Sequence, residues 1–125
     1  MEYVVWAMSE HDQIQCAPET HEAHEHALRP RRTLEDGAFL FQALGSIERL
    51  QIMERLMEGE HCVSELSHEL NEKVTTVSQR LQQLHRARLL CKERRGKHIY
   101  YAIADEHVRS LLNNTFDHVE EERLK

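Results

Sequence analysis

Two short amphipathic helical segments joined by three polar residues, with a basic hairpin directly behind them, constrain this chain more than any other feature. Val63, Leu66 and Leu70 recur at helical spacing, and Asn71-Glu72-Lys73 then reads as a tight turn. Val77, Leu81 and Leu84 form the apolar stripe of a second helix over 75–86. Two helices so short and so close bury their stripes by crossing at a steep angle, which is the helix-turn-helix arrangement.

The segments 89–93 and 98–103 carry apolar and aromatic residues on both sides of Arg94-Arg95-Gly96-Lys97. Gly96 supplies the positive φ that a tight turn needs, so a β-hairpin with a basic tip is predicted, the wing of a winged helix. Tyr100 and Tyr101 are expected to pack within it, and Cys91 to pack at the start of its first strand. Upstream, Leu34, Ala38, Phe41 and Leu44 recur at helical spacing up to Gly45. Ser46 reads as the N-cap of another helix, with Ile47, Leu50, Met53, Leu56 and Met57 apolar and Gly59 beyond its end. A final helix over 106–122 starts from Asp105, which can serve as its N-cap, and carries Val108, Leu111, Leu112 and Phe116 as its stripe. The expected fold class is mainly α with a β-hairpin wing, a winged helix-turn-helix domain spanning 33–125. Residues 1–32, with Pro18 and Pro30 and no sustained apolar period, read as an arm rich in metal-capable side chains, mobile when no metal is bound.

The chain has 125 residues and a formal net charge of −6, which at first speaks against nucleic acid. The distribution reverses that. Between Arg80 and His98 stand seven Lys or Arg residues and one acid, so that window carries +6 and the remainder −12. A concentrated basic block in an acidic chain is a footprint for phosphate, although a solvated charged hairpin has the same composition. No apolar run reaches membrane-spanning length, so no membrane partner is expected. MEYVVWAM is short and has Glu2 where a signal peptide is basic, so it is not read as a secretion signal; whether Met1 or Met8 is the start stays open. Three cysteines, Cys16, Cys62 and Cys91, are too few and odd in number for a disulfide framework, and point to a reducing cytoplasm.

Asp105, His107, His118 and Glu121 form the pattern D-x-H-x10-H-x2-E on the last helix. They are the oxygen and nitrogen ligands of a four-coordinate zinc site. One chain cannot close that site, because eleven residues rise roughly 16 Å along a helix and each ligand sits about 2 Å from the ion. An antiparallel copy of the same helix brings the two half-sites together, and two-fold symmetry then gives two identical shared sites. Solvated histidines on a polar helix are the competing reading, and His118 and Glu121 share a face by i,i+3 geometry alone.

At this point the chain resembles the ArsR/SmtB family of metal-sensing transcriptional repressors. The resemblance runs from about Thr33 to Glu122 and rests on FQALGSIERLQIMERL, HCVSELSHEL, VTTVSQRLQQLHRARLL, RRGKHIYYAI and the D-x-H-x10-H-x2-E helix, in that order. The last resembles the zinc-type branch of the family. It implies a cytoplasmic homodimer through the N- and C-terminal helices that binds an inverted-repeat operator when metal-free. Release would follow binding of zinc, or of cadmium, cobalt or lead. It also implies that Thr75, Thr76, Gln79 and Arg80 lie nearest the DNA, with Arg94, Arg95 and Lys97 on the wing, and that His118 reaches a backbone carbonyl near Gln79. Many relatives open the short helix with C-x-C, where this chain has Cys62-Val63-Ser64, which disfavours arsenic. Gln79 replaces a frequent His and is suited to reading adenine. Cys62, with Glu65, Cys16 and His21 or His24, is a candidate second site for zinc or cadmium; a small buried hydrophobe is the other reading of Cys62.

Two rival classes remain. A zinc hydrolase needs three protein ligands and an open position, whereas this set fills all four, so no enzyme is expected. A winged-helix repressor sensing redox state through Cys62 or Cys91 is the alternative. Metal storage leaves the basic hairpin unexplained.

Overall fold

A computed structural model describes residues 27–124. The elements are α1 (Arg31–Leu44), α2 (Ile47–Glu58), β1 (His61–Cys62), α3 (Val63–Leu70), α4 (Val74–Arg86), β2 (Leu90–Arg95), β3 (His98–Ile103) and α5 (Glu106–Leu124). The three strands form one antiparallel sheet in the order β1-β3-β2. The pair α3–α4 with the β2–β3 hairpin behind it is a winged helix-turn-helix.

The periodicities account for the core. Val77, Leu81 and Leu84 of α4 are completely buried, as are Ile52, Met53 and Leu56 of α2 and Leu66 of α3. Tyr101 and Ile103 close the core from the sheet, and Val108 and Leu112 close it from α5. The helix α4 is therefore fixed along one full face, and its opposite face is left to solvent.

Helix ends follow from local chemistry. Ser46 caps α2 by accepting the Arg49 N–H at 3.3 Å. Asp105 caps α5 as expected, accepting the Val108 N–H at 3.0 Å. Between α3 and α4, Asn71 takes the left-handed conformation with φ 53°, and the N–H groups of Asn71 and Glu72 return to the carbonyls of His68 and Ser67. The same closure recurs after α4, where Arg88 has φ 65° and the Arg88 and Leu89 N–H groups return to His85 and Leu84.

Several sequence expectations need correction. The first folded helix begins at Arg31, two residues ahead of the domain start expected at 33, and the Pro30 carbonyl accepts from Thr33 and Leu34. The helix before the wing begins at Val74. The hairpin ladder runs on to the pair Arg95–His98, so the turn is Gly96-Lys97 alone, with positive φ at Gly96. The strand β1 was not anticipated; its two residues pair with Tyr100 and Tyr101. Cys91 is exposed rather than packed, because Leu90 takes the inward position of the alternating strand. The apolar residues Leu34, Ala38 and Phe41, which recur at helical spacing, are exposed in the single chain.

Candidate nucleic-acid interface and metal-ligand helix

The solvent face of α4 carries Thr75 and Gln79 exposed, with Thr76 and Arg80 half-buried beside them. Turns of 3.6 residues put Thr75 and Gln79 opposite Val77, Leu81 and Leu84, with Thr76 and Arg80 together on one flank, so core packing itself aims the first two outward. Arg80 leans back toward the turn, 3.7 Å from Glu72. On the wing, Arg94, Arg95 and Lys97 are all exposed, but their surroundings differ. The Arg94 side chain donates to the Gly96 carbonyl at 3.2 Å. Arg95 pairs with Glu60 at 2.6 and 2.9 Å and with Glu93 at 2.6 Å. Among the described residues, neither Arg94 nor Lys97 pairs with a carboxylate.

The four candidate ligands of α5 lie at its two ends. Asp105 Oδ1 is 3.7 Å from His107 Nδ1, so those two already form a neighbouring oxygen–nitrogen pair, with His107 almost wholly exposed. The cap bond uses one carboxylate oxygen of Asp105, which leaves the other for a cation. His118 and Glu121 are both exposed one turn apart near the far end. His118 also borders a shallow depression of about 390 Å³ lined by Leu111, Asn114, Thr115 and Val119. These residues form one continuous stripe on α5, and Val119 is half exposed within it. Phe116, by contrast, packs partly against the chain's own core. Within one chain, no three His, Cys, Asp or Glu side chains among the described residues converge on a point. The donor set itself suits a hard or borderline divalent ion, provided two chains supply it.

The second candidate site is only partly in view. Cys16, His21 and His24 lie outside the described residues. Cys62 and Glu65 do meet: the Cys62 N–H donates to Glu65 Oε1 at 2.8 Å, and the two close a capping box at the start of α3. Those hydrogen bonds, the backbone one foremost, hold the Glu65 carboxyl below its ordinary range. Cys62 is buried beside a cavity of about 230 Å³ that Lys97 and His98 also line.

Sequence reasoning missed three polar features. Arg49 reaches back to the Ala43 and Gln42 carbonyls at the end of α1 and across to Gln83 on α4, at 2.6, 3.2 and 3.1 Å. Arg109 donates to the Met57 carbonyl at 3.1 Å, tying α5 to the end of α2. His61 sits between the Gly59 carbonyl at 2.8 Å and Glu69 at 3.2 Å. Each joins residues whose spacing carries no periodic signal.

The family described as bacterial regulatory protein, arsR family, matches residues 48–92. A transcriptional repressor SmtB homolog from Synechocystis sp. is 36% identical over 84 residues, covering 67% of this chain and 64% of that protein, a little under two thirds of its length. The HTH-type transcriptional repressor SmtB of Mycobacterium tuberculosis is 32% identical over 95 residues, covering 76% of this chain and 70% of that protein. Among solved structures, the homodimeric winged helix-turn-helix DNA-binding domain of a possible ArsR-family regulator from Mycobacterium bovis superposes with a TM-score of 0.70. It is 31% identical and covers 82% of this chain and 94% of that one.

Proposed function

Because the chain belongs to the arsR family of bacterial regulatory proteins, whose members are transcriptional regulators and not enzymes, we propose that it is a metal-responsive repressor that acts as a homodimer. In this reading the metal-free dimer holds an inverted-repeat operator and releases it when a divalent metal binds. The observation that carries the proposal is the exposed set Asp105, His107, His118 and Glu121, split between the two ends of one helix in a winged helix-turn-helix chain. A donor set so divided can close on one ion only when a second chain completes it.

The surface supports a dimer. Leu34 and Phe41 on α1 and Val119 on α5 are half exposed or more, and the α5 stripe beside His118 offers an apolar groove. Single exposed apolar residues need no explanation, but an apolar groove along α5 does. Antiparallel pairing of α5 across a two-fold axis would cover that stripe and bring Asp105 and His107 of each chain toward His118 and Glu121 of the other.

Two-fold symmetry also sets the recognition helices about one DNA turn apart, roughly 34 Å, on successive major grooves. Gln79 presents both a donor and an acceptor to a base edge, suited to adenine, while Thr75, Thr76 and Arg80 flank it. Arg94 and Lys97 add phosphate contacts that raise affinity without reading sequence. A bound divalent ion, zinc or its relatives cadmium, cobalt and lead, would supply the charge that draws carboxylates and imidazoles of two helices to one centre. His118 would then be held at one ring nitrogen, leaving the other to donate to a backbone carbonyl of the DNA-reading unit near Gln79. By linkage, operator DNA weakens metal binding by the factor by which metal weakens DNA binding. Cys62 and Glu65 are proposed as the protein end of a second, softer site completed by Cys16 and His21 or His24.

The test is operator binding followed by fluorescence anisotropy, with and without stoichiometric zinc. Tight binding of the metal-free dimer and release by zinc is the expected result. Release by a thiol oxidant with no response to zinc would displace this reading in favour of redox sensing, for which Cys91 is the exposed thiol among the described residues.

A further inference from the structure

The wing has two faces of different character. Alternation along β2 and β3 puts Glu93, Arg95, His98 and Tyr100 on one face and Lys92, Arg94, Ile99 and Tyr101 on the other. On the first face the Arg95 guanidinium is engaged at every nitrogen. Nη1 and Nη2 bind the two Glu60 oxygens at 2.6 and 2.9 Å, and Nε binds Glu93 at 2.6 Å. The guanidinium carbon also lies 4.6 Å from the centre of the Tyr100 ring, and Tyr100 meets His98 edge to face at 6.4 Å. Glu60 belongs to the connection between α2 and β1, 35 residues from Arg95 in sequence.

Isolated surface ion pairs contribute little. This one differs in geometry: it is forked on one carboxylate, shared with a second and backed by an aromatic face, which fixes direction as well as distance. Its charge is also wrong for DNA. One cation between two carboxylates leaves that corner with a net negative charge, which repels phosphate. Arg94 and Lys97 have no such partners among the described residues.

We infer that Arg95 is a wing-positioning residue, a strut that sets the β2–β3 hairpin against the α2–β1 connection through Glu60, and that phosphate contact by the wing falls to Arg94 and Lys97. This revises the expectation that Arg95 itself contacts DNA, and it rests on the reading that the wing meets the duplex. Pairing with Arg95 holds the Glu60 carboxyl below its ordinary range, so the strut is closed at neutral pH. An arginine is needed here, because lysine keeps the charge and loses the fork.

The test uses the full chain and two readouts. The first is nitrogen-15 relaxation of the wing amides, residues 94–98, without DNA. Arg95→Ala, Arg95→Lys and Glu60→Gln should each loosen the wing relative to the unmodified protein, while Lys97→Ala should not. The second is the salt dependence of binding to a duplex of arbitrary sequence. Lys97→Ala and Arg94→Ala should each flatten the slope by about 0.9, the value for one lost phosphate contact. Arg95→Ala should lower affinity several-fold at each salt concentration with the slope unchanged. A slope reduced by about 0.9 in Arg95→Ala, with wing order intact, would overturn the strut and return Arg95 to the phosphates. Loosening by Arg95→Ala but not by Glu60→Gln would overturn it as well. If Arg94→Ala and Lys97→Ala leave the slope unchanged, the wing does not meet DNA and that reading fails, while the relaxation data still decide the strut.

Discussion

The backbone N–H of Cys62 donates to Glu65 Oε1 at 2.8 Å, so the cysteine proposed as a soft-metal ligand is also the residue that opens α3. The capping role belongs to the side-chain acceptor and not to sulfur as such. Serine can fill it, whereas alanine cannot. Cys62→Ser should therefore unfold within about 0.5 kcal/mol of the unmodified protein, and Cys62→Ala should lose about 1 kcal/mol, in the range for a deleted N-cap. Urea denaturation of the metal-free protein measures both. Cadmium affinity should fall more than zinc affinity in the serine variant, because only the softer ion depends strongly on the thiolate. Equal losses for the two metals would remove Cys62 from the second site.

Arg88 is the one non-glycine residue besides Asn71, among those described, with positive φ, and it has no side-chain reason to be there. Its contact with Asp36, at 3.9 Å between largely exposed groups, is weak. A left-handed L-residue costs roughly 1–2 kcal/mol, against about 0.5–1 kcal/mol of extra chain entropy for glycine. Arg88→Gly should thus stabilise the fold by about 0.5 kcal/mol in urea melts. A destabilised variant would mean that the Arg88 side chain packs in the assembly in a way the single chain does not reveal.

Leu84 and Phe41 separate folding from assembly. Leu84 is completely buried on the inner face of α4, and Leu84→Ala should cost roughly 2–5 kcal/mol. Phe41 is 63% exposed on α1, so a polar substitution there leaves the single-chain core intact. Phe41→Glu should retain helical circular dichroism yet sediment as a monomer at concentrations where the unmodified protein is a dimer. A variant that stays fully dimeric would exclude this part of α1 from the interface.

The helix-turn-helix and the wing were legible because their signals are local. Val77, Leu81 and Leu84 announce a buried face within one window, Asp105 and Ser46 mark helix starts, and Gly96 marks the hairpin turn. The failures share the opposite cause. The strand β1 exists only through its pairing with Tyr100 and Tyr101, some forty residues on. The Arg95–Glu60 pair escaped notice because its members stand 35 residues apart in sequence. The Leu34–Ala38–Phe41 stripe was read correctly as apolar, but periodicity cannot tell a face covered by its own chain from one left open. The candidate ligand set on α5 drew notice for a different reason: its residue types are unusual together, and simple rise per residue forces them onto two ends.

His118 gives the sharpest test of the proposed mechanism. It is exposed, it borders the α5 groove, and it stands one turn from Glu121, so its loss should leave the single-chain core untouched. His118→Ala removes one nitrogen ligand from each of two shared sites in the dimer. It also removes the proposed donor to the recognition unit. The metal-free variant should bind operator as tightly as the unmodified protein, since no metal participates in that complex. Zinc should then fail to release it, with metal affinity lowered 10-fold or more, in keeping with the loss of a direct ligand or its hydrogen-bonded support. Cys62→Ser should still release operator with zinc, because its connection to α4 is less direct. The measurement is metal titration of preformed protein–DNA complexes, read by anisotropy for both variants. If His118→Ala releases operator normally and Cys62→Ser stays bound, the site at the start of α3 governs regulation and the α5 ligands do not.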